Sequence, residues 1–236
     1  EAWIYGLNQG KWDTLGHAVI PQAHAVRDDS VQFISQGIEF VIKMRGEFNL
    51  YNTLCATTIA LSRGVAPEII RDAFIGVQGI SGRMEFITNP PNSIFSVVVD
   101  YAHTPDALSN VYTTLSKSNK LLCVLGSAGG GRDKWKRPEM GKIADESCEE
   151  IFLTNEDPYD EDPESIIQEV AKGITKKKPH IILDRKEAIE AAIKKAGADD
   201  TVIITGKGAE PLMMLEGGKK IPWDDREVVR NILRGI

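Results

Sequence analysis

An α/β fold built on a mainly parallel sheet is predicted by three features of this sequence. From Ile94 onward, short β-branched apolar runs alternate regularly with helical patterns. Polar or glycine-rich loops follow those runs directly, at Asp100–Asp106 and Ser127–Pro138. Helix-start signals then close the loops, as in Thr104-Pro105-Asp106 and Asp162-Pro163.

The first 43 residues read as strands. Ala18-Val19-Ile20, Ala25-Val26, Val31–Ile34 and Ile38–Ile42 are short, β-rich and punctuated by Gly, Pro and Asp-Asp. Leu50 to Arg63 reads as a helix ended by Gly64, and Pro67 to Phe74 as a second, short one. Gly82 to Thr88 reads as a strand, and Asn89-Pro90-Pro91-Asn92-Ser93 as a turn or boundary. Strands at 94–100, 121–126, 150–154, 180–183 and 201–205 then alternate with helices near 105–117, 138–148, 163–173, 185–196 and 224–234. Helices between apolar strands require parallel pairing, so 94–236 reads as one Rossmann-like domain. Residues 1–93 carry too few helices for such a sheet and read as the tail of a larger domain beginning before Glu1.

Of the 236 residues, 42% are hydrophobic and 26% charged, an ordinary globular composition. The net charge of −6 gives no support for nucleic-acid binding. No apolar run approaches the ~20 residues that span a bilayer, so no membrane partner is expected. Cys55, Cys123 and Cys148 are far apart and odd in number, which argues for buried thiols in a reducing compartment, the cytoplasm, and against disulfides or a zinc site. No metal ligand set is visible, and the protein is expected to be a monomer.

Two loops carry the chemistry. Asp100 and His103 arrive at the carboxyl end of a buried strand, beside a helix N-terminus, an arrangement that suits a nucleotide. The same residues would also serve as turn caps. In Ser127–Pro138, glycines allow close backbone approach and Arg132, Lys134, Lys136 and Arg137 add charge, which favours a phosphate or carboxylate over a plain solvated turn. The loop is neither GxxxxGK[ST] nor GxGxxG.

Gly82-Arg83-Met84-Glu85-Phe86, Asp100-Tyr101-Ala102-His103-Thr104-Pro105-Asp106, Arg132–Met140 and Gly206-Lys207-Gly208-Ala209-Glu210 occur in that order, with Gly46–Asn52 before them. This ordered set resembles the Mur ligase family, in its UDP-N-acetylmuramoyl-tripeptide synthetase (MurE-type) branch, from about Gly46 to Arg226. The resemblance implies that 1–93 are the C-terminal part of the family's central ATP-binding domain and 94–236 its C-terminal Rossmann-like domain. It implies an ATP- and Mg²⁺-dependent amide ligase of peptidoglycan precursor synthesis, adding an amino acid to UDP-N-acetylmuramoyl-dipeptide. The family's GxxGK[ST] phosphate loop is absent from these 236 residues, and its Mg²⁺ ligands lie mostly upstream, so the chain corresponds to the C-terminal half and is expected to be inactive in isolation. A non-catalytic nucleotide or amino-acid binding module, or a Mur-type ligase for a different peptide, is the alternative.

Residue by residue, the resemblance gives Asn49, Asn52, Arg83, Asp100 and His103 to ATP: the asparagines to adenine, Arg83 to the phosphates, Asp100 to ribose. It gives Arg132, Glu156, Asp157, Tyr159, Gly206 and Glu210 to the incoming amino acid, with Arg132 on its α-carboxylate and Glu210 on an amine. Family members that add meso-diaminopimelate carry Asp-Asn-Pro-Arg where this chain has Glu156-Asp157-Pro158-Tyr159. A negative pocket without that arginine is expected to favour L-lysine or another diamine over a second carboxylate.

Overall fold

The computed structural model describes residues 2–7, 16–87, 93–116 and 120–235. Two compact units are present, 1–80 and 81–236. The division falls at Ile80/Ser81, whereas the sequence pattern placed it at 93/94. Gly82 to Ile87 belong with the second unit because β6 (below) bonds to its sheet. The expected turn at 89–92 and the end of the preceding strand at Thr88 lie outside the described residues, as does Trp12.

In the first unit, β1 (Ala2–Tyr5) pairs parallel with β2 (Gly16–Val19). A meander follows, β3 (Ala23–Val26), β4 (Val31–Ser35) and β5 (Ile38–Ile42), antiparallel throughout. Helices α1 (Glu47–Ser62) and α2 (Pro67–Ile75) complete it. Strict alternation along β4 buries Val31 and Phe33, which join Val19, Phe40, Ile42, Leu50, Leu54 and Ile70 in one core. Strand β1 has no counterpart among the runs singled out from sequence.

The second unit holds a six-stranded sheet. In chain order its strands are β6 (Glu85–Ile87), β7 (Ser96–Val99), β8 (Leu121–Leu125), β9 (Glu150–Leu153), β10 (His180–Ile181) and β11 (Thr201–Ile204). In space the order is β10-β9-β8-β11-β7-β6, parallel except for the antiparallel edge strand β6. Connecting helices are α3 (Pro105–Leu115), α4 (Lys136–Ser147), α5 (Pro163–Ala171), α6 (Arg185–Lys195) and, after β11, α7 (Asp225–Arg234). The all-buried β8 and β11 read as unbroken apolar runs because helices cover both faces of such a sheet. Thr104, Asp162, Asp184 and Asp224 cap α3, α5, α6 and α7 with side-chain oxygens. The predicted α/β class and every strand and helix predicted after Ile94 are present.

Two findings differ from the sequence expectation. A hairpin, β12 (Leu212–Met214) and β13 (Lys220–Pro222), stands between β11 and α7. Cys123 and Cys148 are joined as a disulfide with Cα atoms 6.0 Å apart, and only Cys55 is free. The pair joins the middle of β8 to the residue that ends α4, a proximity created by packing and invisible in a spacing of 25 residues. No described helix is long and apolar enough to cross a membrane.

Candidate functional site

Four loops leave the carboxyl ends of β7, β8, β9 and β11, where an open α/β sheet places its ligand crevice. In the β7–α3 loop, Asp100 is 4% exposed. Its Oδ2 accepts the Met84 N–H at 2.7 Å and its Oδ1 the Ala102 N–H at 2.7 Å. Burial raises its pKa against the pull of those two amides. The structure thus gives Asp100 the turn-locking role, and a ribose contact would need lone pairs left over from it. His103 is half-buried, with Nδ1 2.8 Å from the Tyr101 carbonyl.

The glycine loop after β8 differs from a phosphate cradle. The Gly129 N–H donates to the Asp157 carbonyl at 2.7 Å and the Gly131 N–H to Glu161 Oε1 at 3.4 Å. A Cβ on Gly129 would collide with the Pro158 carbonyl oxygen, and one on Gly130 would lie 2.7 Å from the Tyr159 ring. The glycines therefore let the β9–α5 loop dock. Arg137, fully buried, completes the joint: it donates to the Ala128 carbonyl at 3.1 Å, to Glu161 Oε2 at 3.1 and 3.2 Å, and to Glu169 at 2.8 Å. Lys134 pairs with Glu161 at 2.9 Å, and Lys136 donates to the His103 carbonyl at 3.0 Å. Hydrogen bonds from Lys134 and Arg137 pull Glu161 down to about 2. Arg132 is exposed and forms no salt bridge among the described residues.

The acids after β9 are consequently not a free negative pocket. Asp157 Oδ2 accepts Lys207 Nζ at 2.7 Å and its Oδ1 the Met214 N–H at 2.8 Å. Asp160 accepts the Gly217 N–H at 2.8 Å. The β12–β13 hairpin is held by these bonds and by Tyr159 N–H to the Met214 carbonyl, 3.3 Å. Tyr159 adopts φ 51°, with its ring over Gly130. Glu156 is 4% exposed, and its Oε2 has no hydrogen-bond partner among the described residues. Burial pushes it up to about 7, against Arg185, Lys207 and Lys136. The expected repulsion of a distal carboxylate loses its basis, because the charges counted in sequence are spent on Lys207, Arg137, Lys134 and backbone amides, or suppressed by burial.

Several sequence-selected residues do converge. Arg83 stands over the Tyr101 ring, Tyr101 donates to Glu210, and Glu210 accepts from Lys207, which bonds Asp157. Gly206 adjoins this chain of contacts and faces Glu156. Tyr101 and Lys207 lay inside quoted motifs without a role. Arg185, buried, donates to Asp225 at 2.9 and 2.7 Å and to the Thr205 carbonyl at 2.8 Å, fixing the β11 end. In the first unit, Asn49 is buried, its amide donating to the Arg45 carbonyl at 2.7 Å, while Asn52 donates to Asn49 Oδ1 at 3.1 Å. Both brace the start of α1, whose N-cap, Gly46, takes no side-chain capping bond. Among the described residues, no group of three or more His, Cys, Asp or Glu is placed to hold a metal ion.

A mainly parallel sheet with charged loops gathered at its strand ends defines an α/β domain of the kind that binds small ionic ligands there. Residues 82–208 match the family described as Mur ligase, glutamate ligase domain, and the chain belongs to the Mur ligase family. It is 40% identical to the UDP-N-acetylmuramoyl-L-alanyl-D-glutamate–2,6-diaminopimelate ligase of Clostridioides difficile, over 98% of this chain and 47% of that protein. Against the enzyme of the same name from Aquifex aeolicus the figures are 41%, 87% and 42%. A solved structure of a ligase so named aligns with TM-score 0.62 at 33% identity, covering 98% of this chain and 47% of that one. The UDP-N-acetylmuramate-alanine ligase of Thermotoga maritima shares the fold, with TM-score 0.65 at 17% identity and the same coverage. The chain spans less than half the length of the curated relatives it matches.

Proposed function

We propose that this chain is the C-terminal part of an ATP-dependent ligase that joins a diamino acid to UDP-N-acetylmuramoyl-dipeptide in the cytoplasm, for cell-wall peptidoglycan. The observation that carries this is the line of contacts Arg83–Tyr101–Glu210–Lys207–Asp157, which runs from the segment before β6 across the loops that follow β7, β11 and β9. It sets a cation suited to phosphate at one end and a carboxylate suited to an amine near the other. In this reading ATP phosphorylates the peptide carboxylate, and the amine of the amino acid then attacks the acyl phosphate with release of phosphate. Exposed Arg83 and half-buried His103 serve ATP, and residues 1–80 contribute the end of the ATP-binding domain through α1. Arg132 takes the α-carboxylate of the amino acid, and Glu210 an amine. Glu156, Asp157, Tyr159 and Gly206 shape the pocket's wall. Mg²⁺, which would offset phosphoryl charge, is held mostly by residues outside this chain, and the active species is a monomer.

The name carried by the relatives supports 2,6-diaminopimelate as the amino acid, while the lack of an arginine at Tyr159 supports L-lysine. Amino-acid-dependent phosphate release by the full-length protein, with both compounds and UDP-N-acetylmuramoyl-dipeptide, tests this. Release with either is expected. Release with neither, alongside ligand binding, would leave the non-catalytic module as the better account.

A further inference from the structure

Three stretches distant in sequence cross at one point. Gly82 has φ 65°, and a Cβ there would collide with the Ala209 backbone nitrogen. Gly208 has φ 53°, and a Cβ there would lie 2.7 Å from the Gly82 carbonyl oxygen and 2.9 Å from the Tyr101 Cβ. Only residues without a Cβ let the chain cross so closely. The crossing fixes the positions of Arg83, Tyr101 and Glu210.

Tyr101 fills the space between them. The Arg83 guanidinium carbon lies 4.3 Å from its ring centroid, and the His103 ring meets it edge-on at 4.7 Å. Its hydroxyl donates to Glu210 Oε1 at 2.7 Å. The other Glu210 oxygen accepts from Lys207 Nζ, also at 2.7 Å. Burial would raise the Glu210 carboxyl, but Lys207 and Tyr101 outweigh it and hold the group below its ordinary range. The hydrogen bond to Glu210, with burial, pushes the phenol up to about 12, so it remains a donor at neutral pH. Each carboxylate oxygen keeps a lone pair for an arriving ammonium. Without its two donors, a glutamate side chain would lose its fixed direction to rotamer freedom.

We propose that Tyr101 is a positioning residue for the incoming amino acid, its hydroxyl holding Glu210 as the fixed acceptor of the substrate's ammonium group. This rests on the proposed function, in which Glu210 receives that amine. The test is steady-state kinetics of the full-length ligase carrying Tyr101→Phe, Glu210→Gln or both. Tyr101→Phe should raise KM for the amino acid roughly ten-fold, the effect of one hydrogen bond to a charged group. KM for ATP and kcat at saturating amino acid should stay within about two-fold, as expected when ground-state binding alone is lost. The double variant should be no worse than Glu210→Gln, because the two act as one unit. If Glu210→Gln leaves KM for the amino acid unchanged, the amine-binding reading of Glu210 fails. If Glu210→Gln raises it while Tyr101→Phe does not, or if the effects add, that reading stands and the positioning role is overturned. Should Tyr101→Phe melt too early for assay, Glu210→Asp draws the carboxylate away from the hydroxyl and must give the same rise in KM. A loss confined to kcat would overturn the proposal.

Discussion

Removing one partner of the Arg185–Asp225 pair should be far more damaging than removing both. Arg185 is 1% exposed and Asp225 not at all, and two guanidinium nitrogens meet the carboxylate at 2.9 and 2.7 Å. The Trp223 indole also donates to Asp225, at 2.8 Å. Arg185→Met leaves a buried carboxylate with the indole as its remaining side-chain donor, and it strips the Thr205 carbonyl of its 2.8 Å donor. Breaking a buried pair in this way costs about 3–5 kcal/mol. For a unit of this size each kcal/mol corresponds to roughly 2–4 °C in Tm, so a fall of about 6–20 °C is expected. Arg185→Met/Asp225→Leu removes the stranded charge and leaves the Thr205 and Asn155 carbonyls without their Arg185 donor and the indole without its acceptor. It should be about 1–3 kcal/mol more stable than Arg185→Met alone. Urea unfolding followed by tryptophan fluorescence measures all three. A loss below about 1 kcal/mol for Arg185→Met, or a double variant weaker than the single, would refute the reasoning.

Glu156 should make stability fall with pH. Its folded pKa of about 7 lies above the ordinary 4.5, so the fold keeps a proton that the unfolded chain releases. Its contribution is intact below about 4.5 and is lost as pH rises through about 7. Glu156→Gln should therefore exceed the parent at pH 8 and match it near pH 4, and an unchanged difference in thermal melts across that range would count against a buried titrating acid. Gly129→Ala should force the β8–α4 and β9–α5 loops apart at the Pro158 carbonyl, costing about 1–3 kcal/mol. Gly131→Ala meets no atom within 4 Å, so its cost should be only the roughly 1 kcal/mol of a residue held at φ 76°. Equal melting temperatures for the two variants would contradict that contrast.

Local pattern carried most of the second unit. The apolar runs of β7, β8, β9 and β11 are legible because strands buried on both faces leave no room for polar alternation. The helix starts are legible because Thr104 and Asp162 bond amides only two or three residues away. What escaped is what depends on distant partners. Asp157 reads as a free acid until Lys207, 50 positions on, is seen to bond it. Strands β12 and β13 have three residues each, too few for a period, and the hairpin docks largely through the Met214 and Gly217 backbones. Asp100 illustrates both limits: its place at a strand end was evident, but the Met84 amide that occupies it comes from 16 residues upstream.

The position of β11 has a consequence for assembly. Thr201–Ile204 pair on both sides, with Ser96–Val99 and with Leu121–Val124. Until those four residues are made and inserted, β7 and β8 each present an unsatisfied inner edge, and β8–β9–β10 cannot join β7–β6. During synthesis the ribosome therefore delivers the two halves of the sheet long before the strand that unites them. Non-local pairing of this kind slows folding and leaves open edges available to other chains meanwhile. A release of the nascent chain before Ile204 would yield two partial sheets with a gap one strand wide, prone to fill it with a neighbour's β-strand.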